Sequence, residues 1–192
     1  MRTGIHGSDF LSIYNVNSRI HLINIPKLTD THERMLLQAR GGLEQGWVSS
    51  CFRMLPEFVS VQDEGLILAE VSGKLKTIKW CEDHLDQTIV NFREFSTSNS
   101  AQFPTLFKVF AQFATRLTGT APSNKLLPLH VLELRHDGYI LPHIDNAAYS
   151  GNLIAGLSLQ RTALLTLENP ENDRDHVQFR LMPRSLYVQW YV

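Results

Sequence analysis

His143-Ile-Asp145 is the stretch of this chain whose residue types and spacing point most directly to chemistry. A histidine and a carboxylate two apart on an extended strand project to the same side. Together they give two of the three protein ligands of a facial non-haem iron(II) site, which keeps its remaining positions open for a co-substrate and dioxygen. The third ligand is expected to be a histidine on a later strand, and the sequence stops at Val192 before one in a suitable setting appears. His84-Leu85-Asp86, with His130 beyond it, is a rival and on spacing alone the more complete triad. Its context argues against it: a polar stretch and then a Phe-rich helix follow, and His84 reads as a solvated or hydrogen-bonded loop histidine. His143 instead follows a hairpin pattern and precedes four strand-like runs. His176 stands in front of a strand with Val177, Phe179 and Leu181 on one face and reads as a surface histidine, not a substitute ligand. Arg180 and Arg184 likewise read as solvated strand and turn residues. A looser grouping of His130, His136, His143 and Asp145 around zinc would suit a metal hydrolase.

The elements that must hold these residues follow from periodicity. Asp30 and Glu33 can form a capping box for a helix running to about Arg40, stopped by Gly41-Gly42. Ser60 and Asp63 predict a second helix carrying Leu66, Ile67 and Val71 and closed by Gly73. Residues 82–102 are polar and carry no clear signal. Phe103 and Pro104 open an amphipathic helix whose Phe103, Phe107, Phe110, Ala114 and Leu117 recur at spacings of three and four, with Gly119 at its end. That stripe predicts packing against a sheet. From His130 the period becomes two. Val131–Arg135 and Tyr139–Ile144 read as the strands of a hairpin turned by Asp137-Gly138, because both turn positions tolerate positive φ. Residues 152–159, 162–168, 176–182 and 185–192 read as four further strands. In the last of them Leu186, Val188, Trp190 and Val192 share a face and Tyr187 points the other way. The predicted fold is α+β, a jelly-roll β core buttressed by N-terminal helices.

Composition sets outer bounds. With 192 residues, 43% hydrophobic and 19% charged, the chain suits one globular domain with its own core. No apolar run approaches the ~18 residues of a membrane-spanning helix. A net charge of −1 leaves no strong electrostatic footprint for nucleic acid, though a nucleotide substrate remains compatible. Cys51 and Cys81 lack metal-type spacing and read as buried free thiols. Residues 1–28 carry Arg2, Arg19 and Lys27 against Asp9, a weak transit-peptide character; an ordinary irregular N-terminus is the preferred reading.

Residues 129–159, with His130-Val-Leu-Glu-Leu134, Gly138-Tyr-Ile-Leu-Pro-His-Ile-Asp145 and Ile154-Ala-Gly-Leu-Ser-Leu159, closely resemble the AlkB-like Fe(II)/2-oxoglutarate dioxygenases, and within them a mitochondrial animal branch. Asp83–Ile89, Phe92-Arg-Glu94, Phe58-Val-Ser60 and Pro183–Tyr187 extend the similarity over roughly residues 52–188. The resemblance implies a double-stranded β-helix over residues 52–192, preceded by an unassigned segment 1–51. It makes His143 and Asp145 iron ligands and places Tyr187 by the 2-oxoglutarate pocket. It implies Fe(II) and 2-oxoglutarate as cofactor and co-substrate, hydroxylation or demethylation of a protein or RNA substrate, the mitochondrial matrix, and a link to fatty-acid metabolism and damage-induced necrosis. Two departures stand out. Leu132-Glu-Leu134 replaces the Asn-x-Tyr of base-repairing members, which argues against direct base repair. After Tyr187 the family continues through a distal histidine and co-substrate arginines, where this chain reads Val188-Gln-Trp-Tyr-Val192. The chain is therefore expected to be C-terminally truncated, lacking its last core strands, with a sheet edge left open. An inactive form acting as a binding module is the competing expectation.

Overall fold

A computed structural model describes residues 1–6, 10–14, 36–40, 51–83, 87–118, 128–144, 153–169 and 172–190. Its strands are β1 (Arg2–His6), β2 (Phe10–Tyr14), β3 (Leu36–Arg40), β4 (Phe52–Leu55), β5 (Cys81–Asp83), β6 (Ile89–Thr97), β7 (Leu129–His143), β8 (Leu153–Leu157), β9 (Leu159–Gln160), β10 (Ala163–Asn169), β11 (Asn172–Leu181) and β12 (Leu186–Trp190). Two helices, α1 (Val61–Leu75) and α2 (Pro104–Thr118), lie between them in sequence. Nine strands form one sheet, in the order β3-β11-β10-β1-β7-β2-β9 with β5 and β6 attached through β7; β4-β12-β8 form a second. All the pairings are antiparallel. This is a β-rich α+β architecture compatible with a jelly-roll-like sandwich.

Alternation sorts the strand residues onto two cores. Ile5, Phe92, Leu132, Leu134, Ile140, Leu165, Leu167, Val177, Phe179 and Leu181 meet Phe52, Met54 and Tyr187 of the smaller sheet in one cluster. The opposite faces of β7, β8 and β12, carrying Leu129, Val131, Leu153, Ala155, Leu157, Leu186 and Val188, pack against the helices. On α1 the inward residues are Ile67, Val71 and Leu75; on α2 they include Leu106, Phe110 and Phe113. The Phe stripe of α2 is thus core, as predicted, and Ser60 caps α1 by accepting from the Asp63 amide at 3.0 Å. Leu66 is an exception, 49% exposed, and α1 runs past Gly73 to a cap at Lys76.

Several expectations are corrected. Leu36–Arg40 is a strand paired with β11, not the end of a helix; Asp30 and Glu33 lie outside the described residues. Ile89–Thr97 is a nine-residue strand inside the stretch that carried no signal. Only Phe92 in it is buried and the other residues are half-buried or exposed, so the alternation that marks a strand with one buried face is missing. Asp137-Gly138 does not reverse the chain. Residues 129–134 and 139–140 both pair with β6, descending it from Thr97 to Ile89, so β7 is one strand with a bulge. Neither Asp137 nor Gly138 has positive φ; Asn91, across the ladder, does at 53°. Gly138 is there for close approach, since a Cβ would stand 2.5 Å from the Asn91 carbonyl oxygen. Arg135 bonds Asp137 within the bulge, at 2.6 and 2.9 Å.

The amino-terminal segment is the largest correction. β6 covers one edge of β7 from Leu129 to Ile140, so β1 and β2 share the other edge. On their far side they meet β10 and β9 in one register, with Arg2 opposite Glu168, His6 opposite Leu164 and Leu11 opposite Leu159. β1 therefore lies between β7 and β10, and β2 between β7 and β9. The described part of this segment is neither irregular nor separate from the domain.

Candidate functional site

His143 ends β7 and stands opposite Thr3 of β1 in the ladder. Directly opposed residues share a face, and Thr3 is buried toward the interior, so His143 is aimed at the mouth of the space between the sheets. Its Nδ1 lies 2.8 Å from the Leu141 carbonyl oxygen. A carbonyl can only accept, so Nδ1 is the donor of this hydrogen bond. A backbone carbonyl fixing the tautomer in this way is what metal-binding histidines use. Asp145 lies outside the described residues, as do His84 and Asp86.

Tyr187 is fully buried on β12 and faces the same interior. It pairs with Met54 on one side and Gly156 on the other. Its ring lies over Gly156 so closely that any Cβ there would overlap it. Phe52 stacks beside it with centroids 6.4 Å apart and reaches on to Phe179 at 5.1 Å. Two residues along, Gln189 is also buried, and Thr3 Oγ1 donates to its Oε1 at 2.8 Å across the two sheets. His143, Thr3, Gln189 and Tyr187 thus bring polar groups to an interior that is otherwise apolar. Leu132 and Leu134 belong to that apolar interior.

The remaining candidates do not join them. His176 precedes the inward-facing Val177 and so lies on the outer face of β11. Arg180 is exposed on that same outer face, and Arg184 sits at the other end of β12 near Glu57 and Glu64, at 3.5 and 3.9 Å. His130 Nε2 meets Glu94 at 2.7 Å near the opposite end of β7, while His136 is 77% exposed on the bulge. Strand rise alone separates His130 from His143 by tens of ångströms, so the zinc cluster is not assembled. Among the described residues no three metal-ligating side chains gather. A cleft of about 200 Å³ lined by Ser72, Lys76, Arg93, Glu133 and Gln160 opens on the helix side of β7, but Arg93 is already bonded to Glu133 and stacked over Trp80 at 4.4 Å. Cys51 is buried as expected and burial pushes its thiol up to about 11; Cys81 is exposed, contrary to expectation.

Sequence reading missed Thr3 and Gly156. Gly156 carried a signal, since an apolar strand interrupted by glycine marks close approach. Gln189 was missed as well, although alternation puts it on the Tyr187 face. Thr3 had none, because a five-residue strand far from its partners leaves no periodic trace.

No family model matches the chain. Two curated proteins do. The chain is 33% identical over 136 residues to "Alpha-ketoglutarate-dependent dioxygenase alkB homolog 7, mitochondrial" of Mus musculus, covering 69% of this chain and 59% of that protein. It is 31% identical over 134 residues to the Bos taurus protein of the same name, with the same coverage. The match thus spans a little under three fifths of the length of these relatives.

Proposed function

Because the chain is AlkB-like over the residues it shares with these relatives, we propose that it is an Fe(II)/2-oxoglutarate-dependent dioxygenase domain of the hydroxylase or demethylase type. The observation that supports the reading is His143, held at the end of β7 with Nδ1 on the Leu141 carbonyl, which makes Nε2 the ring nitrogen that would take the metal. His143 and Asp145 would hold the metal. Bound Fe(II) supplies the oxygen chemistry that couples decarboxylation of 2-oxoglutarate to oxidation of a C–H bond; when that carbon is an N-methyl group, the hydroxylated product collapses to amine and formaldehyde. The chain's own contribution is binding and exclusion. Tyr187 offers a phenol at the inner wall, and the apolar layer of Phe52, Met54, Leu132 and Leu134 keeps water from the interior. A dry surrounding strengthens each polar contact with the co-substrate. The relatives' names support a mitochondrial setting, and the matrix, the fatty-acid link and the necrosis role belong to the same proposal, as does a protein or RNA substrate.

Purified chain titrated with Fe(II) under anaerobic conditions should bind one equivalent, and His143→Ala should abolish that binding with the fold retained by circular dichroism. With dioxygen and 2-oxoglutarate, succinate release reads turnover. Absence of specific Fe(II) binding by the unmutated chain would sink the ligand assignment.

A further inference from the structure

The inward faces of the two sheets are apolar along most of their length, and the exception lies beside His143. Thr3 and Gln189, 6% and 3% exposed, bond each other at 2.8 Å from opposite sheets. Thr3 belongs to β1, whose ladder places it opposite His143. Gln189 belongs to β12, two residues beyond Tyr187 on the same face, with Phe52 and Ile154 as its ladder neighbours. One hydrogen bond therefore ties the strand beside the candidate metal ligand to the strand that carries the candidate co-substrate residue.

Stability alone does not explain a polar pair there. Replacing both partners of a buried hydrogen bond by apolar groups of similar shape is close to neutral. A hydrogen bond, however, is directional, and sets a separation that apolar contacts leave loose. That matters at this point because the β1–β7 ladder is irregular between Thr3 and Ile5, next to the Thr3–His143 pair.

We propose that Thr3 and Gln189 are a positioning pair for the metal and co-substrate site, their bond setting the distance between His143 on β7 and Tyr187 on β12. The role rests on the function proposed above. The pair acts through the two strands, so metal affinity and co-substrate affinity are coupled to it together.

The full chain is compared with Thr3→Val, Thr3→Ser, Gln189→Leu and the double variant Thr3→Val/Gln189→Leu. Co(II), used as a spectroscopic stand-in for Fe(II), is titrated by its visible absorption, and 2-oxoglutarate is then titrated into the Co(II) form. Loss of a supporting hydrogen bond in a metal site weakens binding on the order of tenfold. Thr3→Val and Gln189→Leu should each weaken Co(II) by about tenfold and 2-oxoglutarate with it, and Thr3→Ser should restore both. The double variant should melt near the unmutated chain yet bind weakly, which separates positioning from stability. Co(II) and 2-oxoglutarate affinities within twofold of the unmutated chain in all variants would overturn the pairing role. Hydrogen exchange at Ile140–His143 in the metal-free protein gives a second reading. It should speed up in Thr3→Val and Gln189→Leu and recover in Thr3→Ser, and unchanged exchange would overturn the proposal. If the unmutated chain takes up no Co(II), the metal assignment falls, and the exchange measurement alone decides whether the Thr3–Gln189 bond positions the end of β7.

Discussion

Tyr187 owes its place to what the neighbouring strand lacks. Its ring fills the volume that a side chain at Gly156 would take, while Phe52 holds its other neighbourhood. Gly156→Ala must therefore displace the ring or force the two strands apart. Overpacking of this kind costs about 1–3 kcal/mol, read as a lowered urea midpoint with an unchanged slope. The shift should also move the Tyr187 hydroxyl and weaken 2-oxoglutarate binding. A variant with the stability and co-substrate affinity of the unmutated chain would show that the ring does not depend on this contact. Alternation was enough to put Tyr187 opposite Leu186 and Val188; that both faces are interior follows from packing, with Leu186 and Val188 against the helices and Tyr187 in the core between the sheets. Alternation could say nothing about Gly156 as the partner, since that contact is fixed by register between strands 31 residues apart, Tyr187 opposite Gly156.

At the scale of elements, the start of α2 depends on its neighbour. The residue preceding it is Phe103, which has no oxygen to cap the first turn, and that turn contains no acidic residue. Glu70 of α1 supplies both: its carboxylate accepts from the Thr105 amide at 2.8 Å and the Leu106 amide at 3.1 Å. A negative group at a helix N-terminus also opposes the macrodipole favourably. Glu70→Ala should cost about 1 kcal/mol, typical of a lost N-cap, and Glu70→Gln less, because one acceptor survives. Chemical denaturation of the two variants checks the order; equal stability of Glu70→Ala and the unmutated chain would mean that water replaces the cap at no loss. Helices of this kind were legible because an apolar stripe and a cap lie within one short window, as Ser60 with Asp63 shows. The Asp137-Gly138 signal misled for the converse reason. Turn chemistry specifies a local departure from extended backbone, but whether the chain reverses or bulges depends on β6, and Thr97 to Ile89 take both halves of β7 in the same direction.

At the scale of the whole molecule, β1 joins β10, β11 and β3 to the strands around β7. Among the described strands, these three are linked to β7 by pairing through β1. The pairing of Arg2 with Glu168 spans nearly the whole sequence, so no local pattern announced it, whereas β10 and β11 are sequence neighbours that pair with each other. β1 also carries Ile5, 1% exposed, into the inter-sheet core against the strands on both sides. If the segment is integral, Ile5→Ala should behave as a core truncation, with a loss of about 2–5 kcal/mol, although Ile5 sits near a terminus where substitutions are ordinarily mild. Tryptophan fluorescence and far-ultraviolet circular dichroism should report the same shifted midpoint, because removing the strand that bridges β7 and β10 weakens the sheet as one unit. A loss below about 0.5 kcal/mol, the range of surface substitutions, would instead make β1 an adornment on a core that closes without it.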